Sequence, residues 1–253
     1  MLAYTVSNVS NPSLFLTLPS VSTTGTLTYT LANNVIGSST FDVQVRDNGG
    51  TANGGIDTSA AQTFTVSVFP LDTNTTVQSS DTTAVFGQPL MLTATVQLNN
   101  GTEVPTGSVS FFIDNVNRVT LALDLNGQAA FNPGNLDVGT HDVKVKYIPT
   151  GNFEASESTI LKQDIAVVGT TTTLISSAPI SNVGTSVTFT ATIVSQSPGQ
   201  AVPTGTVTFV IDGTPVTPAA NINGLGQAIL TKSNLSVGTH TIEANYNPSS
   251  SNF

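Results

Sequence analysis

The chain has only two histidines, His141 and His240, and each closes a copy of one phrase: NLDVGTH at 135–141 and NLSVGTH at 234–240. A histidine that serves as general base or metal ligand needs its partners beside it. Here the repeat holds the two rings a domain apart, so neither a paired-histidine metal site nor Ser-His-Asp catalysis is expected. The expectation is a histidine at a chain corner, hydrogen-bonded to nearby backbone. Carboxylates are the next candidates, because two acids about 5–10 Å apart can hydrolyse glycosides. Asp114, Asp137, Asp142, Glu154 and Glu157 fall on turns or outward strand positions. Asp114 and Asp212 recur at the end of the same repeated strand. An Asx-turn is expected there, each aspartate accepting from its own backbone two residues on.

The stretch RDNGGTANGGID places Asp47, Asn48, Asn53 and Asp57 in one loop. Calcium takes six to eight oxygen ligands, and such loops supply them. The spacing is not that of an EF-hand, and a tight hairpin needs the same glycines, so the hairpin is the reading adopted. The loop also lacks the Gly-Lys-Ser/Thr ending of a phosphate cradle. Lys144 and Lys146 alternate with Val143, Val145 and Tyr147, which predicts solvated amines rather than buried ones able to form isopeptide bonds. No cysteine is present, which removes disulfides, thiolate metal sites and cysteine nucleophiles. Catalytic, cofactor-binding and metal residues are therefore all assigned as none, and no cofactor is expected.

The elements that must position these residues are strands. Leu90, Leu92, Ala94 and Val96 share one face while Met91, Thr93 and Thr95 share the other. The pattern recurs as Val187, Phe189, Ala191 and Ile193 against Thr188, Thr190 and Thr192. Period two with threonine outward puts one face in a core and one in water. VPTGSVSFFID (104–114) is echoed by VPTGTVTFVID (202–212), pointing Val109, Phe111 and Ile113, and then Val207, Phe209 and Ile211, inward. Phe112 and Val210 face outward from these strands. Leu136 and Leu235 anchor the corner before the histidine strand. No stretch keeps a helical apolar period.

Taken in order, FGQPLMLTATV, PTGSVSFF, NLDVGTHDVKVKY and GNF, repeated as VGTSVTFTATI, PTGTVTFV, NLSVGTHTIEANY and SNF, resemble the bacterial immunoglobulin-like domain repeats of large secreted and surface proteins. The likeness covers about residues 72–253. Such repeats often carry Gly-Asp shortly before Asn-Phe; here Pro149-Thr150-Gly151 and Pro248-Ser249-Ser250-Ser251 stand instead, so no role for that aspartate carries over. Residues 1–70, with alternating Leu27, Tyr29 and Leu31 and a Gly-rich hairpin between Phe41–Arg46 and Thr63–Val68, resemble a related extracellular β-sandwich module.

The fold expected is all-β: a tandem array of immunoglobulin-like sandwiches over 1–71, 72–169 and 170–253. The first and last are expected to be incomplete. The linkers Pro70-Leu71-Asp72 and Val168-Gly169-Thr170 are short, as in a stiff array. ASESTILKQDIAV supplies a last strand after Asn152-Phe153, and nothing comparable follows Asn252-Phe253, so an open sheet edge is expected. The opening MLAYTVSNVS lacks a leader's basic and apolar regions and reads as a strand entered midway, as in a segment of a longer protein.

Charged residues make up 8% of the chain and the net charge is −9, from six basic and fifteen acidic residues. Without a basic stripe, nucleic acid and anionic lipid are not expected partners; without a run of 18 or more apolar residues, nor is membrane insertion. The resemblance implies an extracellular or cell-surface location and a non-enzymatic stalk segment. One alternative is a filament subunit that accepts a strand at its open edge. Another is a carbohydrate- or protein-binding module, though the chain has no tryptophan and four tyrosines. The partners expected are neighbouring immunoglobulin-like domains of the same or an adjacent chain, with a protein or glycan ligand as the alternative.

Overall fold

The computed structural model describes residues 2–253. It is all-β, with strands in six sheets. The N-terminal segment contains β1 (Ala3–Ser7), β2 (Phe15–Val21), β3 (Leu27–Leu31), β4 (Gly37–Arg46) and β5 (Gln62–Val68). The β4–β5 hairpin spans the Gly-rich loop, and β1 pairs with the other edge of β4. Among the described residues of this segment the buried apolar side chains are few: Leu14, Phe15, Pro19 and Phe41. Phe41 stacks on Phe64 and Phe15 meets Tyr29 edge-on. The alternation of Leu27, Tyr29 and Leu31 makes a strand as expected, but it does not sink that face: Tyr29 and Leu31 stay exposed. Among the described residues the strand β3 pairs only with β2, in an irregular ribbon.

The first repeat follows as β6 (Thr73–Ser79), β7 (Thr83–Val85), β8 (Leu92–Leu98), β9 (Gly107–Ile113), β10 (Val116–Ala122), β11 (Gln128–Phe131), β12 (Gly139–Pro149) and β13 (Leu161–Ala166). One sheet runs β11-β8-β6 and the other β10-β9-β12-β13-β7. The threonine-outward strand β8 buries Leu92, Ala94 and Val96 against Val109, Phe111 and Ile113 of β9 and Val143, Val145 and Tyr147 of β12. These are the residues that period-two patterning places inward. β13 closes the sheet, antiparallel to β12 and parallel to β7.

The second repeat contains β14 (Thr170–Ser176), β15 (Val187–Ser195), β16 (Gly205–Ile211), β17 (Thr214–Pro215), β18 (Ala220–Asn221), β19 (Gln227–Lys232) and β20 (Ile242–Pro248). Its sheets are β14-β15-β19, and β16 with β17, β18 and β20. Val187, Phe189, Ala191, Ile193, Val207, Phe209 and Ala228 form a core separate from that of the first repeat. Among the described residues β20 pairs only with β16, leaving its outer edge unpaired. Val143, Val145, Tyr147 and Leu136 are buried in the first repeat, whereas their counterparts Ile242, Ala244, Tyr246 and Leu235 are only partly covered.

Candidate functional site

The two histidine corners are built alike. In each repeat the inward strand ends on an aspartate in the left-handed region, Asp114 at φ 52° and Asp212 at φ 50°. Asp114 Oδ1 accepts from the Asp142 backbone N–H at 3.0 Å, and Oδ2 faces His141 Nδ1 at 2.7 Å. Asp212 accepts likewise from the Thr241 N–H at 2.9 Å and faces His240 Nδ1 at 2.6 Å. The aspartates thus reach across to the neighbouring strand. That corrects the expectation of an Asx-turn to their own backbone: positive φ at the strand end swings the carboxylate over β12 or β20.

The second ring nitrogen faces a carbonyl four residues back, His141 Nε2 to Asp137 O at 2.8 Å and His240 Nε2 to Ser236 O at 3.1 Å. A carboxylate and a carbonyl only accept, so a ring between them satisfies both by carrying two protons. Partial burial of His141 opposes its charge, but the hydrogen bonds to Asp114 and Asp137 outweigh that and raise its pKa above the ordinary histidine value. The hydrogen bond to Asp212, then that to Ser236, raises His240. The histidine hydrogen bond lowers Asp114 and Asp212 in turn.

In the second repeat this geometry places Ser236 Oγ 3.5 Å from His240 Nε2, with Asp212 on Nδ1. The arrangement stands beside a cleft of about 440 Å³ lined by Thr214, Lys232, Asn234 and Leu235 among others. The sequence reading denied His240 a neighbouring nucleophile, and the fold supplies one. Nε2 also faces the Ser236 carbonyl, so the doubly protonated ring donates to both Asp212 and that carbonyl and in that form has no nitrogen free to act as a general base. The first repeat has Asp137 in that place.

The other candidates are dispersed. Asp47 Oδ1 accepts from the Gly49 N–H at 2.6 Å, while Asp57 Oδ2 pairs with the Arg46 guanidinium at 2.9 Å, so the two carboxylates of the Gly-rich loop turn to different partners. Among the described residues no three His, Asp or Glu side chains converge as a metal site would require. Lys144 and Lys146 both pair with Glu157, whose pKa the two lysines lower, Lys144 the more. Lys146 also lies over the Phe112 ring, which accounts for that outward aromatic.

A second kind of site joins the repeats. Asn252 Nδ2 donates to Asp137 Oδ1 at 3.0 Å, and Asn252 Oδ1 accepts from the Val138 N–H at 3.0 Å. Phe253 meets Phe86 edge-on at 5.3 Å, and the Gln200 N–H donates to the Gly87 carbonyl at 3.1 Å. A Cβ on Gly87 would lie 2.6 Å from Ala201, so glycine is required by contact as well as by its φ of +76°. The corner phrase of the first repeat is therefore the seat of the second.

The sequence model of the bacterial Ig-like domain (group 3) matches residues 75–166 and 172–253. The chain belongs to that family. The two Ig-like matches coincide with the two segments that close separate cores. Such families are generally non-catalytic, and membership points to an extracellular structural module. A search of curated proteins returns no match. Among solved structures the chain is similar to the Clostridium thermocellum CbhA fibronectin(III)-like modules, at 19% identity over 66% of this chain and 83% of that one, with a TM-score of 0.27. It is also similar to surface layer protein SbsC, domains 1-6, at 12% identity over 97% of this chain and 33% of that one, with a TM-score of 0.24. The chain thus spans a third of the SbsC structure's length, and likeness at these scores says nothing of what it does. No helix among the described residues is long and apolar enough to cross a membrane.

Of the Ig-like repeats' functional residues, the Asn252 clasp left no mark in the sequence beyond the recurring Asn-Phe. Its partners Asp137 and Val138 lie inside the phrase whose repetition was the strongest signal, but repetition alone does not say that the phrase bears a neighbour.

Proposed function

We propose that this chain is a non-enzymatic spacer segment of a secreted or surface-exposed bacterial protein, an array with units at 1–71, 72–169 and 170–253. The observation that carries the reading is the clasped junction. Asn252 and Gln200 bind the backbone of the preceding repeat, and Val168 donates forward to the Asn252 carbonyl at 3.1 Å. Leu71 likewise donates to the Asn152 carbonyl at 2.7 Å, so neither linker is a free coil. Repeats held this way transmit load and keep their spacing. The test is catalytic as well as mechanical: purified chain is offered ester, peptide and glycoside substrates. No turnover is expected, and turnover abolished by Asp212→Asn or His240→Ala would overturn the reading.

One observation favours strand addition as a second role. Beside the unpaired edge of β20 runs a groove of about 670 Å³ between residues 176–189 and 235–242, lined by Val187, Phe189, Leu235 and Ile242. In the first repeat the segment ending in β13 fills the matching place: Ser156 Oγ bonds Thr73 and Thr75 at 2.7 Å, Gln163 accepts from Ser79, and Ile165 enters the core. An extended segment of that pattern suits the groove.

A further inference from the structure

The surface that seats the second repeat on the first recurs, uncovered, on the second repeat. Ungapped alignment of 73–96 with 170–193 sets Phe86 and Gly87 opposite Val183 and Gly184, and the NLDVGTH phrase sets Asp137 and Val138 opposite Ser236 and Val237. The backbone is kept: Gly87 and Gly184 have φ +76° and +81°, and Gly139 and Gly238 have +143° and +140°. The coverings differ. Phe86 and Val138 are partly buried at the junction, while Val183 is 68% and Val237 89% exposed. Above Gly87 lies Ala201 of the next repeat; nothing lies within 4 Å of the Cβ position of Gly184.

We propose that the surface formed by Val183, Gly184, Ser236 and Val237 is a docking seat for the base of another Ig-like repeat that presents an Asn-Phe end and a Gly-Gln-Ala segment. The contacts that Asn252, Gln200 and Phe253 make to the first repeat through their side chains and the Gln200 N–H each have a counterpart on the second. The Val237 N–H takes the place of the Val138 N–H as donor to the incoming asparagine Oδ1. The Ser236 hydroxyl replaces the Asp137 carboxylate as acceptor for its Nδ2. The Gly184 carbonyl accepts the incoming glutamine N–H, and Val183 offers the phenylalanine ring an aliphatic bed in place of Phe86. The exchange of Asp137 for Ser236 makes the second seat uncharged, so its occupancy depends less on salt than the first junction does. This rests on the spacer reading and names the neighbour that reading requires.

The test extends the full chain by a second copy of residues 154–253 after Phe253, which gives the second repeat a closing strand and places one more repeat beyond it. Amide hydrogen exchange is followed at Val237, with Val138 as internal reference. The comparison chain carries Asn252→Ala in the added copy only. The expected result is about tenfold slower exchange at Val237 in the extended chain than in that variant. The gain is also expected to vanish with Val237→Asp, at a site too exposed to disturb the fold. Equal Val237 exchange in the two chains overturns the proposal. So does an added repeat that shows no protection in its own strands, because the same residues fold when seated on the first repeat. Hydrolytic activity would undo the spacer reading and leave the docking result standing; loss of Val237 protection alone would undo only the seat.

Discussion

At each histidine corner one ring bridges two acceptors, a carboxylate and a carbonyl, and is satisfied only when fully protonated. The corner is therefore a pH-dependent clamp. The His141 pKa is raised on folding, so its contribution is fully present below the unfolded histidine value of about 6.5 and is lost as pH rises through the higher folded value. The Asp114 pKa is lowered, so its contribution is present above the ordinary aspartate value and is lost only as pH falls through the depressed one. The first repeat should then lose stability in mildly alkaline buffer. Replacing His141 by Gln should remove that slope and cost about 1 kcal/mol in acid, discounted because Asp114 is half exposed. Urea denaturation of both proteins on either side of neutrality measures it; a His141→Gln protein that keeps the full pH slope would refute the doubly bonded ring. The residue types at the corner were legible in sequence, but their pairing was not. Asp114 and His141 lie on different strands, and only the β9–β12 register together with positive φ at Asp114 brings them together.

Strands, by contrast, were legible almost residue by residue. Alternation in LMLTATV or VSFFI decides a face at every step, and slipping by one residue would turn Leu92 and Phe111 out to water. The repeated Pro-Thr-Gly was legible as a phrase, but not that its glycine opens β9 and β16 rather than closing a turn, nor why glycine is needed there. At Gly107 a Cβ would lie 2.3 Å from the Ile148 carbonyl oxygen, with φ at +135°. At Gly151, with φ +80°, nothing lies within 4 Å. Alanine at Gly151 should therefore cost only the left-handed backbone penalty of about 1 kcal/mol. Alanine at Gly107 must also push β9 from β12, and should cost about 2–3 kcal/mol. Chemical denaturation of the two variants gives the difference directly; equal losses would mean that the close approach at Gly107 has no energetic consequence. Least legible were the polar contacts of the last strand. Gln163 is fully buried, yet it reads in sequence as one more surface amide; its Oε1 accepts from Ser79 on the opposite sheet and its Nε2 donates to the Asp164 carbonyl.

For the whole molecule the decisive feature is two cores of unequal completeness. Phe111 sits at the centre of a sandwich closed by β13, whereas Phe209 sits in one whose β20 edge is unpaired among the described residues. Separate interiors allow separate transitions, since cooperativity requires shared buried contacts. The second repeat, with Leu235, Ile242 and Tyr246 only partly covered, should melt first. Phe209→Ala should lower that first transition and leave the later one in place. Phe111→Ala should lower the later one, at a cost of about 3–5 kcal/mol for a large buried ring. The link between them is the clasp, so Asn252→Ala should weaken whatever stability the second repeat borrows from Asp137 and Val138 without touching either interior. Scanning calorimetry of the three variants separates these effects. If Phe209→Ala and Phe111→Ala shifted one common transition by similar amounts, the repeats would share a single cooperative core, and a row of independently closed spacers would be the wrong description of the chain.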